Sequence, residues 1–228
     1  MSYTFDPAPV VTLPVVGSDL LFPVRRIFCV GRNYTEHTKE MGGNPDIETP
    51  MFFIKPAESI AAEGGSIPYP GATTDLHHEV ELVVALKSGG SNISPEQASE
   101  HIFGYATGVD LTRRDLQKIC KDKRHPWDVA KGFENSAPCS AITPHTESLL
   151  SGSSSISLGV NNEIRQHATL GDMIWPVEQI IYHLSRLFDL RSGDIIMTGT
   201  PAGVGAIKSG DQITCSIEGL SDLEFRLT

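Results

Sequence analysis

The sequence predicts an α+β fold built mainly on mixed β-sheet, and three observations carry that expectation. Short apolar runs rich in β-branched and aromatic residues outnumber segments of helical period. Glycine and proline, 21 and 15 of 228 residues, punctuate the chain often enough for many turns. Neither an internal repeat nor an interdomain linker divides it, so one domain over residues 25–228 is expected to follow an extended lead-in over residues 1–24.

The lead-in is proline-rich (Pro7, Pro9, Pro14, Pro23), with room for one strand at Val10–Leu13. Arg26–Gly31 is a short apolar run ending in Gly, hence a strand. Asn33 is placed to cap a short helix through Met41, which Gly42-Gly43 would stop. Met51–Ile54 reads as a buried strand and Leu76–Leu86 as the longest one, broken by Ser88-Gly-Gly-Ser91. Ser94-Pro95 opens a helix with Pro at its first position. Ile102–Leu111 returns to strand character, and Thr112–Asp115 can cap the basic helix after it. Val160-Asn-Asn-Glu163 is a two-residue hairpin turn, because Asn tolerates the positive φ of type I′. Pro176–Leu187 is the clearest helix, with Ile180, Ile181, Leu184, Leu187 and Phe188 in one stripe. Asp194–Thr198 and Gln212–Ile217 are the late strands, flanking the glycine-rich link Thr198–Gly210.

A net charge of −10 argues against nucleic acid as a partner, which needs a basic footprint. The local basic run Arg113, Arg114, Lys118, Lys121, Lys123 and Arg124 suits a small anion or, equally, a solvated helix face. The 4 cysteines are scattered, without a C-x-x-C, as expected of free thiols in a reduced cytoplasmic protein. The first residues lack the pattern of a signal peptide, and no apolar run approaches membrane-spanning length.

Four constellations can carry chemistry. In His78-Glu79-Val80-Glu81-Leu82 the two carboxylates are two apart in a strand, so they share a face, with Val80, Leu82 and Val84 opposite. Paired carboxylates suit a hard divalent cation, Mg²⁺ above Zn²⁺; they also suit the polar face of an edge strand. Asp110, at the end of its strand, is the best third oxygen donor. His37 and Glu40 are i and i+3 on the first helix, which puts a carboxylate beside an imidazole, the arrangement of a water-activating base or of a surface ion pair. Lys131, among apolar residues and glycine, could meet a substrate carbonyl or carboxylate. Thr198-Gly-Thr-Pro-Ala-Gly-Val-Gly205 can offer backbone N–H groups and the Thr200 hydroxyl to an anion, without the pattern of a P-loop, or equally serve as a structural turn between strands.

The order of these motifs is more specific than any one of them. Gly31-Arg-Asn-Tyr, His37, Glu40, Lys55-Pro56, His78-Glu-Val-Glu-Leu82, Asp110-Leu-Thr-x-Arg114-Asp-x-Gln117, Trp127…Lys131-Gly-Phe133, Val160-Asn-x-Glu163 and Thr198-Gly-Thr-Pro201 together resemble the fumarylacetoacetate hydrolase family, from about Arg26 to the C-terminus. The resemblance implies that family's mixed β-roll with short peripheral helices, a homodimer, and Mg²⁺ or Mn²⁺ held by Glu79, Glu81 and Asp110. It implies His37 with Glu40 as the water-activating dyad, Lys131 as the active-site lysine, and Arg114, Gln117 and Thr200 as substrate contacts. The chain is most similar to the short acylpyruvate-hydrolase branch, in which the bacterial fumarylpyruvate hydrolases of gentisate breakdown resemble it most. The expected reaction is therefore hydrolysis of a C–C bond in a small 2,4-dioxo acid. Oxaloacetate decarboxylation and dienoate isomerisation on the same scaffold are the alternatives, and a non-catalytic binder of a metal–oxo acid complex is the alternative from outside enzymology.

Overall fold

The computed structural model describes residues 2–40, 49–62 and 64–228. The predicted helix stop at Met41 to Gly43 lies outside the described residues. Among those described, strands dominate and helices are short, as expected. The largest sheet runs Met51–Lys55, Arg26–Gly31, Asp194–Met197, Val80–Leu86, Ile102–Val109, Ala137–Cys139, Ile60–Ala62, with Thr143–Pro144 paired off the path. It is mixed: Arg26–Gly31 is parallel to Asp194–Met197, while Val80–Leu86 is antiparallel to both its neighbours. A second sheet of five strands runs Glu163–Thr169, Ser155–Val160, Gln212–Ile217, Leu223–Leu227, Gly65–Ile67.

Val80–Leu86 is central, and both its faces are buried. Val80, Leu82 and Val84 pack in the core shared with Ile156, Leu158, Ile213 and Phe225 of the second sheet and with Ile180, Ile181 and Leu184 of the helix Val177–Ser185. Val83 and Ala85 face a smaller core built with Cys29, Cys139, Met197, Leu13 and Phe22. Alternation in this strand therefore separates two interiors and not inside from outside. Glu81, fully enclosed at the end of the second face, is no edge-strand carboxylate.

Four expectations about local structure need correction. The lead-in forms a hairpin, Thr12–Val15 with Ser18–Pro23, whose Leu13, Val15 and Phe22 cover the second core. The predicted strand Leu76–Leu86 breaks at Glu79. Leu76–His78 joins a separate three-stranded sheet with Thr112–Arg113 and Gly205–Ile207, so Glu79 leaves the ladder. Asn33 does not cap the helix, here Thr35–Glu40; its amide is spent elsewhere, as described below. Leu187 is exposed beyond the end of its helix. The capping expectation for Thr112–Asp115 holds in part: Arg113, at the N-cap of Arg114–Lys123, gives no side-chain bond, but Asp115 Oδ1 accepts the Leu116 N–H at 2.8 Å. The hairpin turn matches its reading, with φ of 51° and 67° at Asn161 and Asn162.

Candidate active site

One cleft gathers the predicted site residues. His37, Glu79, Glu81, Asp110, Arg114, Gln117, Lys131 and Thr200 all line it, together with Arg32, Phe53, Lys121 and Trp127. Glu40 stands behind His37, with Oε2 3.2 Å from the imidazole Nδ1. The same helix carries Glu36 and Lys39, also i and i+3, as an exposed surface pair. Thus one helix holds both readings of such a pair: His37 turns inward, and the more exposed Glu40 backs it.

The carboxylates converge from three backbone environments. Glu81 projects from the central strand, Glu79 from the break before it, and Asp110 from the end of Ile102–Val109, where its N–H donates to the Glu79 carbonyl, 2.8 Å. One oxygen from each lies within 4.8 Å of the other two. Three buried acids without Cys or His are the donor set of a hard cation such as Mg²⁺ or Mn²⁺. Lone buried charges are costly, so each needs partners. Glu79 takes hydrogen bonds from Lys131 Nζ (2.8 Å) and Arg114 Nη2 (2.5 Å). Asp110 takes one from Lys131 Nζ (2.5 Å) and pairs with Lys55 Nζ (2.9 Å). Glu81 takes one from a backbone donor, the Gly199 N–H, at 2.7 Å.

Protonation follows those partners. Burial opposes charge on Glu79, but the Lys131 ammonium and the Arg114 guanidinium outweigh it and hold the acid below the usual carboxylate range. For Glu81 burial, reinforced by the Asp110 and Glu79 charges, pushes the pKa well above that range. Burial would depress Lys131, yet Asp110 and Glu79 raise it, so the lysine stays an ammonium. Burial lowers His37 despite the nearby Glu79 and Glu40, which favours the neutral imidazole a base requires.

The glycine-rich link does bind anions, and they belong to the protein. Gly199 has φ of +97°, and a Cβ there would sit 2.6 Å from that of Asn33. This close approach brings its N–H to Glu81. Gly203, at φ +93°, directs its N–H to Glu40, 3.3 Å from Oε2. Asn33 clamps the region: Nδ2 donates to the Thr198 and Trp175 carbonyls (2.7 and 3.0 Å), and Oδ1 accepts from Trp175 N–H (2.7 Å). The predicted anion loop is therefore a bracket for two site carboxylates.

The basic helix Arg114–Lys123 divides by face. Arg114, Gln117 and Lys121, spaced by three and four, line the cleft, and Arg114 Nη1 donates to Gln117 Oε1 at 2.6 Å. Lys118 is exposed and paired with Asp122. Arg113 stacks on Phe133, 4.1 Å from its ring centre, and His125 lines a separate apolar depression with Met51 and Phe52. Sequence reasoning assigned no role to Lys55, which is wholly buried and bonds the Leu111, Lys131 and Ser136 carbonyls besides Asp110. A lysine closing the apolar run Met51–Ile54 was the available signal. Gln166, discussed below, gave none.

A mixed-sheet fold that sinks an acid cluster, paired cations and a buried histidine backed by a carboxylate into one cleft defines an enzyme. Residues 26–228 match the fumarylacetoacetate hydrolase C-terminal family, to which the chain belongs. Its structure superposes with a TM-score of 0.97 on the fumarylpyruvate hydrolase of Pseudomonas aeruginosa in complex with Mn²⁺ and pyruvate, at 42% identity, covering 100% of this chain and 99% of that one. A fumarylpyruvate hydrolase of a Ralstonia species is 40% identical, over 78% of this chain and 93% of its own. The mitochondrial oxaloacetate tautomerase of Homo sapiens is 39% identical, over 89% and 91%.

Proposed function

We propose that this protein hydrolyses a C–C bond in an acylpyruvate, fumarylpyruvate foremost, to give fumarate and pyruvate. The observation that carries the reading is His37, backed by Glu40, lining the same cleft as the Glu79, Glu81 and Asp110 cluster. Mg²⁺, or Mn²⁺ on the same oxygens, would be held by those three acids and would supply Lewis-acid stabilisation of charge on the 2-oxo acid end of the substrate.

The chain's own residues account for the rest. Glu40 holds the Nδ1 side of His37, which leaves Nε2 to take a proton from water as it adds to the distal carbonyl. The bond between that carbon and the pyruvate methylene then breaks, and the electron pair on the methylene carbon takes a proton. Lys131, kept cationic by its neighbours, offers a buried positive charge to the oxo acid. Arg114, Gln117 and Thr200 are assigned to the substrate's oxygens. Lys55, Lys131 and Arg114 formally balance the three acids, so a bound divalent cation leaves two positive charges for an anionic substrate. Arg32 and Lys121 extend that potential along the cleft and favour a second, distal carboxylate.

The same reading makes the protein a cytoplasmic homodimer working in aromatic-compound breakdown. Exposed Phe5, Val10, Leu20 and Leu21 near the N-terminus support self-association, and no helix among the described residues is long and apolar enough to cross a membrane. A second reading, oxaloacetate tautomerisation or decarboxylation, is favoured by the relatives named for oxaloacetate. The deciding assay follows loss of dicarbonyl absorbance with Mg²⁺. Fumarylpyruvate should be consumed faster than acetylpyruvate, with fumarate and pyruvate as products. Turnover of oxaloacetate alone would overturn the proposal in favour of the second reading.

A further inference from the structure

Gln166 is the single fully buried residue of the strand Glu163–Thr169, 1% exposed, and its amide is used at both ends. The Val80 N–H donates to Oε1 at 3.1 Å, which identifies that atom as the oxygen. Nε2 donates to the Pro201 carbonyl at 2.9 Å, which identifies it as the nitrogen. Two backbone groups of fixed polarity thus orient an amide whose ends are otherwise hard to tell apart. Two further consequences follow. His78 Nδ1, 2.9 Å from Oε1, must carry a proton. Thr200 Oγ1, 2.8 Å from Nε2, must accept, so its own hydroxyl proton points elsewhere. Thr200 lines the cleft.

We propose that Gln166 is a positioning residue that fixes the Thr200 hydroxyl as a hydrogen-bond donor toward bound substrate. This rests on the reading above only in that Thr200 meets the oxo acid. Gln166 also spans two sides of the site, since it joins the segment around Glu79 to the link carrying Thr200 and Gly199. A carboxylate in its place would invert the polarity at nearly unchanged shape. Glu at 166 accepts and cannot donate when ionised, so Thr200 would turn its proton away from the cleft.

The test is a double-mutant cycle on pyruvate affinity, read by calorimetry with the Mn²⁺-loaded protein. Binding of pyruvate does not depend on which reaction the enzyme catalyses, so a failed fumarylpyruvate assay leaves this test standing. Gln166→Glu and Thr200→Val should each weaken pyruvate about 10-fold, the low end for a hydrogen bond to a charged group. Combined, they should weaken it no more than either alone. Thr200→Ser, which keeps the hydroxyl, should restore most of the affinity. An equal further loss from Gln166→Glu in the Thr200→Val background would overturn the proposal, as would unchanged affinity in Thr200→Val. Nitrogen-15 shifts of His78 in the unmodified protein give a reading independent of variant folding. A protonated Nδ1 is expected, and an unprotonated Nδ1 would mean that the amide is reversed.

Discussion

Glu79 and Glu81 stand two positions apart, face the same cleft and are both buried, yet the two sides of the acid cluster that they represent are built from opposite materials. The Glu79 side is lined with side-chain cations: Lys131 and Arg114 on Glu79 itself, Lys131 and Lys55 on Asp110. The Glu81 side is lined with backbone N–H groups of the glycine-rich link, Gly199 on Glu81 and Gly203 on Glu40. A cation stabilises a buried carboxylate far more than one amide dipole does. The first side is therefore electrostatically complete within the protein. The second is left with an acid that prefers its proton until a cation arrives. Burial alone does not set the charge of a carboxylate; the nature of its partners does.

The largest effect that would break this contrast is on stability. Glu79→Gln strips the partner of two buried cations and should cost about 3–5 kcal/mol in metal-free unfolding. Glu81→Gln removes an acid that burial and two like charges already disfavour, and its metal-free stability should be unchanged or higher. Equal losses measured by denaturant titration would erase the distinction. Next comes the imidazole tied to the amide-lined side through Glu40. His37→Ala should lower kcat by about 10²–10⁴ with cation affinity intact, the range for loss of a general base. The acid limb of the kcat/KM profile should fall below pH 6.5, because burial lowers that imidazole. An acid limb at or above that value would contradict the assignment.

The smallest effect concerns pH. A carboxyl whose folded pKa is raised keeps its proton while the unfolded chain releases one. Its contribution to stability is complete below the ordinary value of 4.5 and lost as pH rises through the native pKa. Glu79 has the opposite sign: its contribution is present above 4.5 and lost as pH falls through its lowered pKa. In chelator, the Glu81 contribution should make the melting temperature decline from pH 5 to 8 relative to Glu81→Gln, and excess Mg²⁺ should abolish that difference.

Much of this was legible in the sequence, because side-chain spacing is local. The i, i+3 relation of His37 and Glu40 follows from the helical period. Alternation singled out Glu79 and Glu81 as a pair, although Glu79 reaches the cleft from the break and not from a strand face. What escaped was tertiary. The break at Glu79 depends on Leu76–His78 finding partners in Gly205–Ile207, more than a hundred residues away. Asn33 has the chemistry of a cap, but the Thr198 and Trp175 backbone outbids its own helix for the amide. Lys55 and Gln166 become site residues only because the larger sheet brings the one beside Asp110 and the second sheet brings the other beside Thr200.

The central claim, that Glu79, Glu81 and Asp110 form one cation site whose amide-lined member awaits the ion, is met most directly by a crystal structure in Mn²⁺ with anomalous diffraction. A single strong peak bounded by one oxygen from each of the three acids, absent from Glu81→Gln crystals grown alike, is the predicted result. A peak elsewhere, or a peak that persists unchanged in Glu81→Gln, would contradict it.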